Sequence, residues 1–300
     1  MGGVTHSSPE ADISFPLAQV PAAPITPVAT SKRSWATGFL GPDSGDGEIA
    51  VGDGTGPGSQ SGIMLDSVMT GEARKALEKY TKLNKVQSVF FDSLYGSNDN
   101  AVVAGPTGVG KTLAAELAFL RMLGGTAPGA DEAAESATSA TKRSGKMVYL
   151  APSRALCIER ASDWSERFEA ALGVKVECLP SDFNALDSSN SDSLNHRLAR
   201  ADLVCTTPEK WDSVTRRWRS NADLIGEVAV VCIDEVHTLS DDRGATLEAV
   251  VARMRTIASS TAAQEKNWPC TRLRLVALSA TLPNVNDVGA WLRAPAQSTF

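Results

Sequence analysis

No stretch of this sequence stays apolar for anything near the roughly 20 residues that a bilayer span requires, so no membrane partner is expected. The amino-terminus lacks both the charged-then-apolar layout of a secretory signal and the Arg-rich, acid-poor character of a transit peptide, and a soluble intracellular protein is the expectation. Paired cysteines are missing as well. The five that exist, Cys157, Cys178, Cys205, Cys232 and Cys270, form no Cys-x-x-Cys pair and mostly occupy apolar runs, so they are read as reduced core residues. Nor is there an excess of positive charge: the formal net charge is −6, which argues against a globally basic polyanion binder. Residues 1–62 carry six acidic and two basic side chains, however, so most of the deficit lies there and the remainder can still bear a basic groove.

What is present divides the chain. Residues 1–62 hold seven of the 15 prolines and 11 of the 24 glycines without apolar periodicity, and are expected to be a disordered tail. A docking peptide around Ser34-Trp35-Ala-Thr-Gly-Phe39-Leu40 is conceivable within it. Two further low-complexity stretches, Gly124 to Lys146 and Ser181 to Ser193, read as a surface insertion and a loop. Between them run Ala101 to Ala104, Met147 to Ala151, Val174 to Leu179, Leu203 to Thr206, Val228 to Ile233 and Leu273 to Leu278, which are β-branched and apolar rather than alternating. Such runs suit strands covered on both faces. Helical patterns separate them at Thr112 to Leu123, Ser153 to Leu172, Pro208 to Trp218, Thr246 to Ile257 and Val285 to Leu292. The alternation predicts an α/β fold, a parallel sheet with helices on both faces and ligands at the carboxyl ends of its strands.

Three of those ends carry chemistry. Gly105-Pro106-Thr107-Gly108-Val109-Gly110-Lys111-Thr112 follows a predicted strand and opens a predicted helix, the context of a phosphate-binding P-loop. Its backbone amides would converge on phosphate oxygens, Lys111 would reach the β and γ phosphates, and the Thr112 hydroxyl would ligate magnesium. Asp234-Glu235-Val-His237 closes another apolar run. A carboxylate at the end of a buried strand is expensive unless paired, and a magnesium ion on Asp234 would resolve that cost; an acidic helix N-cap is the competing reading. Glu235 would orient or deprotonate the attacking water. His237 is either an ordinary core or surface histidine or a relay to Ser279 and Thr281 of Ser279-Ala280-Thr281. Gln87, on a predicted helix upstream, can donate and accept at once, which suits an adenine edge; an exposed helical glutamine is the alternative. The cofactors implied are ATP and Mg2+.

These segments resemble the superfamily 2 DExH-box helicases of the Ski-two-like branch. Tyr80 to Gln87 is similar to their adenine-reading Q motif, Gly105 to Thr112 to motif I, and Ala151-Pro152-Ser153-Arg154-Ala155-Leu156 to motif Ia. Thr206-Thr207-Pro208-Glu209-Lys210-Trp211-Asp212 resembles motif Ib, Asp234 to His237 motif II and Ser279 to Thr281 motif III. The run from Asp212 to Asn221, with Arg243-Gly244-Ala-Thr-Leu-Glu248 and Arg253-Met254, looks most like the meiotic crossover DNA helicases (MER-three type), although spliceosomal Brr-two-type RNA helicases share much of it.

The resemblance implies a first RecA-like domain over residues 63–300 of an ATP-dependent 3′-to-5′ translocase, monomeric and nuclear, acting on single-stranded or branched nucleic acid with DNA favoured over RNA. Pro152, Arg154, Thr206, Thr207, Pro208 and Arg243 are then candidates for gripping a sugar-phosphate backbone without reading sequence, each with a plain surface role as its alternative. Arg216, Arg217 and Arg219 fit a solvated helix face equally well. After motif III the chain runs only to Phe300, so the second RecA-like domain and its arginine finger are expected to be absent. A nucleotide- and strand-binding module without independent turnover is therefore the rival expectation.

Overall fold

The computed structural model describes residues 62–124, 145–179 and 197–300. The expected disordered tail, the peptide around Trp35, the loop at Ser181 to Ser193 and most of the insertion at 124–146 lie outside the described residues. Six strands form one sheet: β1 (Ala101–Ala104), β2 (Lys146–Leu150), β3 (Val176–Cys178), β4 (Leu203–Thr206), β5 (Val228–Ile233) and β6 (Arg274–Ser279). Their order is β1-β6-β5-β2-β4-β3, and every neighbouring pair is parallel.

The uniformly apolar strands are explained by two cores. Ala101, Val103, Cys205, Tyr149, Cys232, Val276 and Leu278 point into one, while Val102, Val148, Leu150, Val204, Val231, Ile233, Leu275 and Ala277 point into the other. The registers carry one row across the sheet: Cys178 pairs with Cys205, Cys205 with Tyr149, Tyr149 with Cys232, and Cys232 with Val276. The first core is closed by α1 (Lys85–Phe91), α2 (Thr112–Met122) and α3 (Arg154–Trp164), through residues such as Phe90, Leu117 and Trp164. The second is closed by α4 (Pro208–Arg216), α5 (Gly244–Ala258) and α6 (Val285–Leu292), through Trp211, Val214, Leu247, Met254 and Leu292. All five cysteines are free thiols, four of them buried. Burial pushes their titration up, Cys157 to about 12 and Cys270 to about 11. No helix among the described residues is long and apolar enough to cross a membrane.

The structure moves three boundaries. Lys146 is the first residue of β2 and not part of an insertion; its ammonium donates to the carbonyls of Ala199 at 2.6 Å and Ala201 at 2.7 Å, which holds a lysine inside. The long helix expected from Ser153 to Leu172 is α3 followed by a π-helical turn at Ser165–Glu169 and a short stub at Ala170–Leu172. That turn places Arg167 against the buried carboxylate of Glu116 on α2, Nη2 to Oε1 at 2.5 Å, beside the Trp164 Nε1 donor at 3.0 Å. Strand β6 begins on Arg274, which is buried and donates to the carbonyls of Asp99 at 2.7 Å, Leu94 at 3.1 Å and Ser93 at 2.9 Å. Burial, and then the Arg121 guanidinium, bring its pKa down to about 10.

Arg274 thus fastens the helical turn Asp92–Gly96 and the loop that follows it to the foot of β6. Arg274→Ala leaves those three carbonyls without their donor and is expected to lower the unfolding free energy by roughly 3 kcal/mol, read from urea denaturation followed by tryptophan fluorescence.

Candidate functional site

Because all six strands run the same way, the segments after β1, β2, β4, β5 and β6 share one edge of the sheet. The P-loop leaves β1 with Gly108 at φ +88° and Gly110 at φ +83°, values that L side chains rarely adopt. At Gly110 a β-carbon would also lie 2.2 Å from the Gln87 amide nitrogen, so that side chain would have to shift as well. The loop is pinned from three directions. Gly105 N–H donates to the Ser279 carbonyl at 3.2 Å, Asn84 Nδ2 donates to the Val109 carbonyl at 3.1 Å, and the Lys111 ammonium donates to the carbonyls of Gly105 at 2.6 Å and Pro106 at 3.0 Å. Thr112 is the first residue of α2, where unpaired helix amides and the helix dipole favour an anion.

Gln87 is buried, which removes the reading of an exposed helical glutamine. It completes a capping box: its backbone N–H donates to Asn84 Oδ1 at 2.8 Å and its Oε1 accepts from Asn84 N–H at 3.0 Å. Asn84 therefore caps α1 with one side-chain atom and steadies the P-loop with the other.

The acidic pair follows β5. Asp234 accepts from the Glu235 backbone at 3.0 Å through Oδ1 and from the Tyr149 hydroxyl through Oδ2. Burial holds its carboxyl above the usual range, with the Tyr149 bond opposing that shift and the Glu235 charge adding to it. Burial, and then Asp234, push the Tyr149 hydroxyl far up, so it remains a donor. Glu235 occupies the left-handed region at φ 51° and opens a tight turn, Val236–Ser240. That geometry aims its carboxylate at β6: Oε2 accepts from Ala280 N–H at 3.3 Å and lies 3.2 Å from His237 Nδ1. His237 Nδ1 is also 3.2 Å from Ser279 Oγ. Thus Glu235, His237 and Ser279 meet in one cluster, whereas Thr281 is exposed and has no hydrogen bond to another described residue.

The candidate strand-contact residues separate. Arg154 is exposed in the first turn of α3, and Pro152 and Thr207 are partly exposed. Thr206 and Pro208 are turned inward, and the Thr206 hydroxyl is buried without a partner among the described residues. Arg243 is exposed, with three of its five N–H donors engaged by Glu209 and the Pro152 carbonyl. Tyr149 was missed by sequence reasoning; the only signal was a single polar-tipped residue inside the otherwise aliphatic end of β2.

The residues present fit a magnesium-bound nucleotide. Glycine-permitted backbone, a lysine folded over the loop and a helix start supply the phosphate side. No group of three or more His, Cys, Asp or Glu that could hold a metal is found among the described residues. A lone Asp234 with the Thr112 hydroxyl suits Mg2+, which is held by one or two carboxylates together with phosphates and water.

The DEAD/DEAH box helicase profile matches residues 84–288. The chain is 34% identical over 229 residues to the ATP-dependent DNA helicase MER3 of Saccharomyces cerevisiae, covering 76% of this chain and 16% of that protein. It is 39% identical over 220 residues to the probable ATP-dependent DNA helicase HFM1 of Mus musculus, covering 73% and 14%. To the human activating signal cointegrator 1 complex subunit 3 it is 38% identical over 229 residues, covering 76% and 9%. The chain therefore spans less than a fifth of each of these relatives. Among solved structures it resembles the DUF1998 helicase MrfA bound to DNA and AMPPNP, with a TM-score of 0.57 and 20% identity over 76% of this chain and 28% of that one. It also resembles Mss116p bound to ssRNA and AMP-PNP, with a TM-score of 0.56 and 19% identity over 77% and 43%. Those likenesses establish the RecA-like fold.

Tyr149→Phe removes one of the two donors to Asp234 while keeping the ring packed edge-on against Trp164 at 4.9 Å. Affinity for a fluorescent ATP analogue in magnesium is expected to fall about tenfold, or ~1.4 kcal/mol. Binding of the same analogue in EDTA is expected to be unchanged.

Proposed function

The chain belongs to the DEAD/DEAH box helicases, and on that premise we propose that it is the ATP-binding domain of a nuclear DNA helicase of the meiotic crossover type, coupling ATP hydrolysis to 3′-to-5′ movement along one strand. The carrying observation is the cluster of Glu235, His237 and Ser279, in which a candidate catalytic carboxylate and the end of β6 share one histidine nitrogen. A change at Glu235 during the reaction would reach β6 through that contact.

Lys111 would exchange the Gly105 and Pro106 carbonyls for phosphate oxygens. Thr112 and Asp234 would hold magnesium, which supplies neutralising charge to the phosphates when bound. Glu235 would accept the proton of the attacking water, oriented by the Ala280 N–H and His237. Gln87 retains its two amide N–H groups and a second Oε1 lone pair for an adenine edge. Arg154, Thr207 and Pro152 would meet the sugar-phosphate backbone. DNA as substrate is supported by the names of the yeast and mouse relatives, both described as DNA helicases. Full turnover would draw on a second RecA-like domain facing this one, since an arginine finger contributes roughly 10³ to 10⁵ in rate.

Lys111→Ala is expected to abolish tight ATP binding. Glu235→Gln is expected to keep binding and slow single-turnover hydrolysis by about 10²- to 10⁴-fold. Equal ATP affinity in wild type and Lys111→Ala would defeat the assignment. Matched DNA and RNA oligonucleotides in competition at fixed salt test the substrate, and preference for RNA would redirect it to an RNA helicase.

A further inference from the structure

Arg243 immediately precedes α5, and the chain reaches it by doubling back on the turn that follows the acidic pair. The turn is closed by Gly244 N–H donating to the Asp241 carbonyl at 2.8 Å. A β-carbon on Gly244 would lie 2.0 Å from the Leu239 carbonyl oxygen, so the approach admits only glycine. From this fixed root the guanidinium reaches two other loops. Nε and Nη2 grip both oxygens of Glu209, at 2.5 and 2.8 Å, and Nη1 donates to the Pro152 carbonyl at 2.5 Å. Glu209 lies in the first turn of α4, after β4; Pro152 lies just before α3, after β2; Arg243 itself follows β5. Strands β5, β2 and β4 are consecutive in the sheet, so one side chain ties together three adjacent loops at the edge where a strand would bind.

Isolated surface ion pairs contribute little, but a forked arginine–carboxylate pair with a third bond from the same group has a fixed geometry that lysine cannot reproduce. The pairing also matters for charge. Glu209 stands among residues expected to meet phosphates, where a bare carboxylate would repel the ligand.

We propose that Arg243 is a positioning residue, a clasp that holds the Pro152 loop and the Glu209 turn in register for a nucleic-acid backbone, and not itself a phosphate contact. The inference rests on the strand-gripping reading given above. It makes Glu209 a contributor to binding a polyanion despite its negative charge.

The test uses the full chain and a fluorescein-labelled single-stranded DNA, with anisotropy measured from about 50 to about 200 mM salt. Nucleotide affinity and the thermal midpoint of each variant report folding. Glu209→Gln and Arg243→Gln are each expected to weaken strand binding several-fold, with the double variant no weaker than either single one. The slope of log affinity against log salt stays at the wild-type value in Arg243→Gln, and Arg243→Lys does not restore affinity. If Glu209→Gln tightens binding, or Arg243→Gln reduces the slope by about 0.7, the value for one lost contact to a single strand, Arg243 touches phosphate and the clasp is overturned. Should Arg243→Gln fail to fold, the sign of the Glu209→Gln effect decides alone. A wild-type chain that binds no strand overturns the strand-gripping reading, and the clasp's role with it.

Discussion

One constraint underlies the whole arrangement: six strands that all run in the same direction must deliver every following loop to the same edge. Motifs separated by more than a hundred residues therefore need no long-range instruction to meet. The price of that geometry is that both faces of the sheet must be covered, which the two cores achieve with three principal helices each. Strand β6 sits between β1 and β5, so the third motif lies between the phosphate loop and the acidic pair. This order makes β6 the element that both halves of the nucleotide site touch.

An edge made of loops would be loose if only the strands fixed it. Its precision comes from hydrogen bonds that run between loops. Gly105 N–H to the Ser279 carbonyl joins the first motif to the third, and Ala280 N–H to Glu235 joins the third to the second. Asn84 reaches the Val109 carbonyl from the far side of the P-loop. Behind them stands a buried support: Tyr149 holds Asp234, Trp164 packs edge-on against Tyr149, and the Trp164 indole donates to Glu116 on the P-loop helix. Asp234, the proposed metal ligand, and the helix that opens after the P-loop thus rest on one packed column. The left-handed backbone of Glu235 belongs to the same logic, since a non-glycine residue with positive φ persists only where its surroundings over-determine it.

The sequence carried the strands well because burial on both faces leaves an uninterrupted apolar run; β1, β4 and β5 have the expected ends. It also placed Gly105 to Thr112 between a strand and a helix and Asp234-Glu235 at a strand end, and of the two partners expected for His237 the structure brings Ser279, not Thr281. What it could not carry were partners chosen by the fold. Arg274 falls inside an expected apolar strand run and Lys146 at the end of an expected surface insertion, and only the tertiary structure supplies the carbonyls that allow their charges inside. Tyr149 reads as one more strand aromatic until the β2–β5 register places it opposite Cys232, two residues before Asp234. Thr206 reads as an available hydroxyl, yet the final residue of β4 points into the domain.

Charge shows the same dependence on pairing. Three carboxylates at that edge are met by different partners. Asp234 is met by a hydroxyl and a backbone amide, which leave lone pairs for a cation. Glu235 is met by a backbone amide and a histidine. Glu209 is met by a guanidinium fork, which holds its carboxyl below the usual range and keeps it ionised but neutralised in place. Each set of partners suits the role proposed for its carboxylate: to accept a metal, to accept a proton, or to stay fixed. Composition gives only the excess of acid over base. How each of these three carboxylates is paired is decided by the fold.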